Sequence, residues 1–209
     1  MVAGSPEAPP ILVFARTPVP GKVKTRLIPA IGVERAANLH RAMLWRAADT
    51  AGAAGLGPVE LWCWPSIAHP YLEQLRDQLG VTLHQQSGED LGERMQRALA
   101  SACHGGRGAL LIGSDCPFLE TSDLQEAANA LAGGADAVLG PAQDGGFYLL
   151  GVRISDPRIF SDIAWGSERV LEAARDRLRA LGWRWHELAT RCDVDRPDDL
   201  AALRDLLVF

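Results

Sequence analysis

The chain is predicted to fold as one α/β domain, a mostly parallel sheet flanked by helices. Three observations carry that prediction. Short apolar runs alternate with segments of helical periodicity, the rhythm of parallel strands joined by crossover helices. The first runs are apolar at nearly every position, as strands covered on both faces are. No repeat, low-complexity tract or linker divides the 209 residues, a length that suits one domain with a sizeable core.

Taken in order, Met1–Pro10 reads as a flexible leader rich in Pro, Gly, Ser and Ala, and residues 11–209 as the folded domain. Ile11–Ala15 is a buried strand. Val33–Ala53 is a helix, with Ala36, Leu39, Met43, Leu44 and Ala47 on one face. Val59–Trp64 is the second strand. Pro70–Leu79 is a helix, since Leu72, Leu75 and Leu79 recur at spacings of three and four. Val81–Gln85 is a strand, Leu91–Ala102 a helix, and Ala109–Gly113 a buried strand stopped by Ser114-Asp115-Cys116-Pro117. Thr121 or Ser122 can cap the next helix, with Glu126 in its first turns. Ala135–Leu139 and Phe147–Val152 are strands around the loop Gly140–Gly146. Ser167–Leu181 is a helix, Trp183–Leu188 a strand, and Pro197–Leu207 a last helix with proline in its first turn.

Composition excludes several function classes. The formal net charge of −5 is unsuited to gripping nucleic acid, which needs a basic face. No apolar run reaches the ~20 residues of a membrane helix, and the N-terminus lacks the charged and apolar parts of a secretory signal. Cys63, Cys103, Cys116 and Cys192 form no CxxC pair, so they read as reduced thiols of a cytoplasmic protein.

Ligands of open α/β sheets bind at the carboxyl ends of the strands, so the loops leaving those ends hold the candidate residues. The first contains Gly21-Lys22-Val23-Lys24-Thr25-Arg26. Glycine permits close backbone approach, and the cations Lys22, Lys24 and Arg26 suit a triphosphate or pyrophosphate. The bland alternative is a solvated basic turn. It is not a Walker A loop, which would need glycine in place of Arg16 and Ser or Thr in place of Val23. In the second loop, Asp115 ends a buried strand, placed to hold a hard cation through oxygen or simply to cap a turn. The third, Asp144-Gly145-Gly146, is either a plain hairpin turn or a loop whose glycines admit a substrate while Asp144 accepts its hydrogens.

Near the C-terminus, Asp195 reads as a helix N-cap, a metal ligand, or both, with Asp198 and Asp199 in the first turn. Between the third strand and third helix, Gln86 and its neighbour Gln85 carry donors and acceptors that can read a base edge. Arg94 could face phosphate or stand exposed on its helix. The five histidines show no ligand spacing and read as surface or core residues. Trp165, close to Ser167 in a loop, stands apart from the other tryptophans, which read as packing.

Together Pro20–Leu27, Asp90–Met95, Gly113–Pro117 and Pro141–Gly151 resemble the nucleotide-diphospho-sugar transferase (GT-A-like) superfamily. Within it, they resemble a bacterial family of uncharacterised proteins labelled as glycosyltransferases. The layout also resembles phospholactate guanylyltransferases and the sugar-nucleotide and molybdopterin nucleotidyltransferases. That resemblance implies a single GT-A-like, Rossmann-like domain. It implies that Lys22, Lys24 and Arg26 hold a triphosphate beside Gly21, and that Gln86 and Gly88 lie where the base is read. It further implies that Asp115 and Asp195 bind Mg²⁺ or Mn²⁺. This chain has Arg196 where the last motif usually has threonine.

The expectation that follows is a metal-dependent nucleotidyltransferase, with Lys24, Arg26, Asp115 and Asp144 catalytic. An NTP would be joined to a small phosphorylated acceptor held near Asp144, Gly145, Gly146 and Trp165. The alternatives are a glycosyltransferase using a nucleotide sugar, weakened by the lone carboxylate of Ser114-Asp115-Cys116, and a non-catalytic nucleotide-binding module. No nucleic-acid or membrane partner is expected; the Trp and Leu content is compatible with a homodimer.

Overall fold

A computed structural model of the protein describes residues 8–103 and 106–203. The first seven residues of the expected leader, His104 and the end of the last expected helix lie outside the described residues.

Among the described residues seven strands form one sheet: β1 (Ile11–Arg16), β2 (Val59–Trp64), β3 (Thr82–Gln85), β4 (Ala109–Gly113), β5 (Ala137–Pro141), β6 (Phe147–Val152) and β7 (Trp185–Glu187). Their order is β3-β2-β1-β4-β6-β5-β7. β6 is antiparallel to β4 and β5, and every other neighbouring pair is parallel. The reason is local: Ala142–Gly146 is too short for the crossover that a parallel neighbour needs. The chain thus has the expected α/β fold.

β1 lies between β2 and β4 and is covered on both faces. Ile11, Val13 and Ala15 pack with Leu44 and Ala47 of α2 (Val33–Ala53), Leu72 and Leu75 of α3 (Pro70–Leu79), and Leu124 of α5 (Thr121–Ala132). Leu12 and Phe14 point the other way, to Met95 and Leu99 of α4 (Leu91–Ala102) and Leu178 of α6 (Val170–Ala180). Alternate residues of one strand thus serve two cores, which is why its run is continuously apolar. α1 (Ile28–Ile31), a single turn after the basic loop, leads into α2.

Several boundaries differ from the sequence reading, each for a local reason. α5 is capped by Glu120 rather than Thr121 or Ser122. The Asp123 carboxylate accepts from the Glu120 amide, and Glu120 accepts in return, a reciprocal capping box. α6 begins at Val170, not Ser167, because the preceding loop folds over the β5–β6 turn: the Leu171 amide donates to the Gly145 carbonyl at 2.9 Å. β5 starts at Ala137 and runs on through Pro141, and β7 is shorter than expected. The last segment, Pro197–Leu203, is a 3₁₀ helix. Its start is fixed by the Asp199 carboxylate, which accepts from the amides of Asp195 and Arg196. Asp195 is therefore not the cap.

Candidate active site

At the carboxyl ends of β1 and β4 the strands open into a cleft of ≈ 1230 Å³, in the range of small-molecule sites. Most of the predicted residues converge there: Lys22, Lys24 and Arg26, Gln86, Asp115, Asp144 with Gly145 and Gly146, Trp165 and Asp195 all line it. Gly21 and Gly88 do not. A Cβ on Gly88 would lie 2.9 Å from the Arg94 amide nitrogen, so that glycine lets the chain pass the start of α4.

The basic loop does not act as one unit. Lys22 is exposed, and Arg26 reaches the rim, pairing with Asp195 Oδ2 at 2.5 Å. Lys24 turns inward. Its backbone is left-handed (φ 46°, ψ 41°), and its side chain is only 2% exposed. The ammonium donates to the Val194 carbonyl at 2.6 Å and lies 3.0 Å from Asp115 Oδ1 and 3.9 Å from Asp195 Oδ1. Lys24 therefore ties the basic loop, the end of β4 and the C-terminal segment together.

Asp115 also accepts from the Ser114 hydroxyl at 3.2 Å. Crowding by the protein pushes its carboxyl up. The Lys24 ammonium and the hydrogen bonds from Lys24 and Ser114 outweigh that and hold it below the usual carboxylate range. Asp193 behaves oppositely: burial, then repulsion from Asp144, pushes it up to about 6. Arg16 and Lys22, which make no ion pair among the described residues, line the same cleft as Asp144 and Asp193.

Two expectations about the base region change. The Gln86 amide nitrogen donates to the carbonyls of Ala15 (3.3 Å) and Trp62 (2.8 Å), and the residue is buried. Its donors lock β1 to the loop after β3, which leaves the carbonyl oxygen as the group that can meet a ligand. Arg94 is half-buried rather than freely exposed on its helix. Its guanidinium lies 4.4 Å over the ring of Trp64, a cation–π pair on the cleft wall.

On the acceptor side the Asp144 carboxylate accepts from the Gly146 amide at 2.8 Å, fixing the turn. Gly145 has φ +87°, and a Cβ there would sit 2.0 Å from the Glu168 carbonyl oxygen, so only glycine fits. Trp165 packs edge-on to Phe147 and against Phe160. Its indole occupies the space where a Cβ on Gly92 would fall.

Sequence reasoning missed His40 and Arg16. His40 is buried on α2, 3% exposed, with Nε2 2.9 Å from the Arg16 carbonyl and Nδ1 4.0 Å from Asp115 Oδ1. A carbonyl only accepts, so Nε2 carries the hydrogen, and Nδ1 has no hydrogen-bond partner. Burial lowers the pKa of the ring, which favours the neutral form. The available signal was positional: His40 falls on the apolar face of its helix, four residues from both Ala36 and Leu44. Arg16 is the outward-pointing last residue of β1, at the strand end where ligands gather.

The residues expected to hold a divalent ion do not fit one in this arrangement. Asp115 and Asp195 share the Lys24 ammonium, and Arg26 takes the remaining oxygen of Asp195. Like unit charges about 4 Å apart repel by about 4 kcal/mol at an effective dielectric of about 20, and a dication doubles that. Among the described residues no three His, Cys, Asp or Glu side chains group to hold a metal ion.

Residues 47–167 match the family described as "Uncharacterized protein conserved in bacteria (DUF2064)". The chain belongs to the DUF2064 family. A solved protein from Desulfovibrio desulfuricans G20, provisionally described as a nucleotide-diphospho-sugar transferase, is 34% identical over 94% of this chain and 86% of its own, with a TM-score of 0.85. More distant structures share the fold. One is 4-diphosphocytidyl-2C-methyl-D-erythritol synthase from Anaerococcus prevotii (9% identity, 95% of each chain, TM-score 0.65). Another is glucosyl-3-phosphoglycerate synthase from Mycobacterium tuberculosis, in complex with Mn²⁺ and UDP (12% identity, 93% of this chain and 75% of that one, TM-score 0.57). No protein with a curated description matches. This DUF2064 member is a transferase of the nucleotide-diphospho-sugar transferase superfamily, as the sequence motifs implied. Among its described residues no helix is long and apolar enough to cross a membrane.

Proposed function

We propose that this DUF2064 protein is a nucleotidyltransferase that joins an NTP to a small phosphorylated acceptor. The observation that carries the reading is the set of cations at the mouth of β1: Arg16 and Lys22 make no ion pair among the described residues, and Arg26, paired with Asp195, sits exposed on the rim. That cluster of cations suits a triphosphate, whose charge exceeds that of a nucleotide sugar's diphosphate. The base would lie against the Trp64–Arg94 pair, with the Gln86 carbonyl oxygen accepting a hydrogen from its edge. The acceptor would lie between Asp144–Gly146 and Trp165.

In this reading an acceptor phosphate oxygen attacks the α-phosphorus, the bond to the bridging oxygen breaks, and pyrophosphate leaves with that electron pair. The protein supplies no covalent nucleophile. Arg16, Lys22 and Arg26 neutralise the departing pyrophosphate, and the cleft holds the reacting atoms in line. Lys24 fixes Asp115 and the C-terminal segment rather than touching phosphate. No step is assigned to a metal ion at Asp115 and Asp195, because Lys24 already stands there.

A glycosyl transfer from a nucleotide sugar is the second reading, supported by the description of the 34%-identical Desulfovibrio protein. Thermal stabilisation by GTP, CTP, UTP, ATP, UDP-glucose and GDP-mannose separates the two. A ligand at about 100 times its Kd contributes about 2.7 kcal/mol, a readable shift. Stabilisation by one NTP, lost in an Arg16→Gln/Lys22→Gln variant, supports nucleotidyl transfer. Stabilisation by a nucleotide sugar alone supports the second reading. No stabilisation by any of the six at millimolar concentration removes both.

A further inference from the structure

We propose that the Lys24 ammonium is the resident cation of the Asp115–Asp195 carboxylate pair, standing where related transferases are expected to bind a divalent metal ion. The chain then holds no metal ion of its own between these two side chains. This does not depend on which transfer reaction the cleft performs.

Four observations meet at this point. The ammonium is surrounded by three oxygens, the Val194 carbonyl at 2.6 Å, Asp115 Oδ1 at 3.0 Å and, beyond hydrogen-bond distance, Asp195 Oδ1 at 3.9 Å. The side chain is sealed, 2% exposed, so it does not exchange freely with solvent. The backbone is held in the left-handed region at φ 46°, a conformation disfavoured for lysine, and it turns this side chain inward between its exposed neighbours Lys22 and Arg26. Finally, the charges close: two carboxylates face Lys24 and Arg26, with Arg26 on Asp195 Oδ2.

A divalent ion at the same carboxylates would have to expel the ammonium or lie against it. Expulsion would bury an unpaired Val194 carbonyl and uncouple three segments. Occupation of the pair by lysine also explains why Lys24, though in the basic loop, is not available to phosphate.

Nucleotide-free protein tests this. Free Mn²⁺ is measured by electron paramagnetic resonance during titration of the wild type, Asp115→Asn, Lys24→Met and the Lys24→Met/Asp115→Asn double variant. The expected result is that wild type and Asp115→Asn bind Mn²⁺ equally weakly. Lys24→Met should gain one Mn²⁺ per chain, at least about tenfold tighter than wild type, and the double variant should lose it. The proposal is overturned if the wild type binds one Mn²⁺ per chain and Asp115→Asn abolishes it, or if a folded Lys24→Met gains no site. If circular dichroism shows Lys24→Met unfolded, Lys24→Gln takes its place under the same criteria, and a wild-type site abolished by Asp115→Asn still overturns the proposal. With nucleotide absent throughout, a failed nucleotide assignment leaves the outcome readable.

Discussion

Lys24 Nζ lies 3.0 Å from Asp115 Oδ1 in a contact that joins the loop after β1 to the end of β4. The same ammonium bonds the Val194 carbonyl, so one side chain fastens three chain segments around the cleft. Removing it leaves a buried carbonyl and a carboxylate without their donor. Lys24→Met is expected to cost about 1.5–3 kcal/mol of unfolding free energy at neutral pH, the range for hydrogen bonds to charged groups. Urea unfolding of variant and wild type measures it; a loss below about 0.5 kcal/mol, the level of a neutral surface change, would mean the contact does not fasten the segments.

The β5–β6 turn has no room for a side chain at Gly145. A Cβ there would lie 2.0 Å from the Glu168 carbonyl oxygen, and φ is +87°. Gly145→Ala is expected to push the loop before α6 away from the turn and to destabilise by about 1–3 kcal/mol. Hydrogen exchange checks the location: the Leu171 amide, bonded to the Gly145 carbonyl, should lose protection before the amides of β1.

The outer edge of the sheet carries a pH-dependent contribution. Arg175 on α6 grips Glu187 on β7 with two bonds, at 2.9 and 2.8 Å. Those bonds hold the Glu187 carboxyl below its ordinary value, against a smaller opposing push from burial. A depressed carboxyl pKa stabilises above the ordinary glutamate range, and that stability is lost as the pH falls through the lower folded value. Glu187→Gln should therefore cost about 0.5–1 kcal/mol at pH 7 for this partly exposed pair and nothing once wild-type Glu187 is protonated. Urea midpoints across the acid range read the convergence; a constant gap would mean that the pair is not the cause.

Much of this architecture was legible in the residues. Period and composition give β1, α2, β2, α3 and α4 nearly to the residue, because each buries an apolar face of regular spacing. The loops at the strand ends were recognisable by their Gly, Pro and charged residues, and they do converge on one cleft. What the sequence hid is which way a side chain turns. Lys22, Lys24 and Arg26 look equivalent in a string, yet the left-handed backbone at Lys24 sends it into the protein while Lys22 stays outside. Gln86 suits base reading by chemistry, but its amide is spent on two backbone carbonyls set by the β1–β2 register. His40 belongs to the site through tertiary packing, and its only linear trace is a polar residue on an apolar helix face.

Nucleotide affinity tests the central claim most directly, that a triphosphate binds beside Arg16, Lys22 and Arg26. The NTP that stabilises the protein, and its NDP, are titrated calorimetrically into the wild type and into Lys22→Gln/Arg26→Gln. The account predicts that the NTP binds the wild type at least about tenfold tighter than the NDP, since about 1.4 kcal/mol from one further charge-assisted phosphate contact is a factor of ten. That gap should close in the variant. Equal affinity for NTP and NDP in the wild type, or a gap that survives loss of both cations, would contradict it.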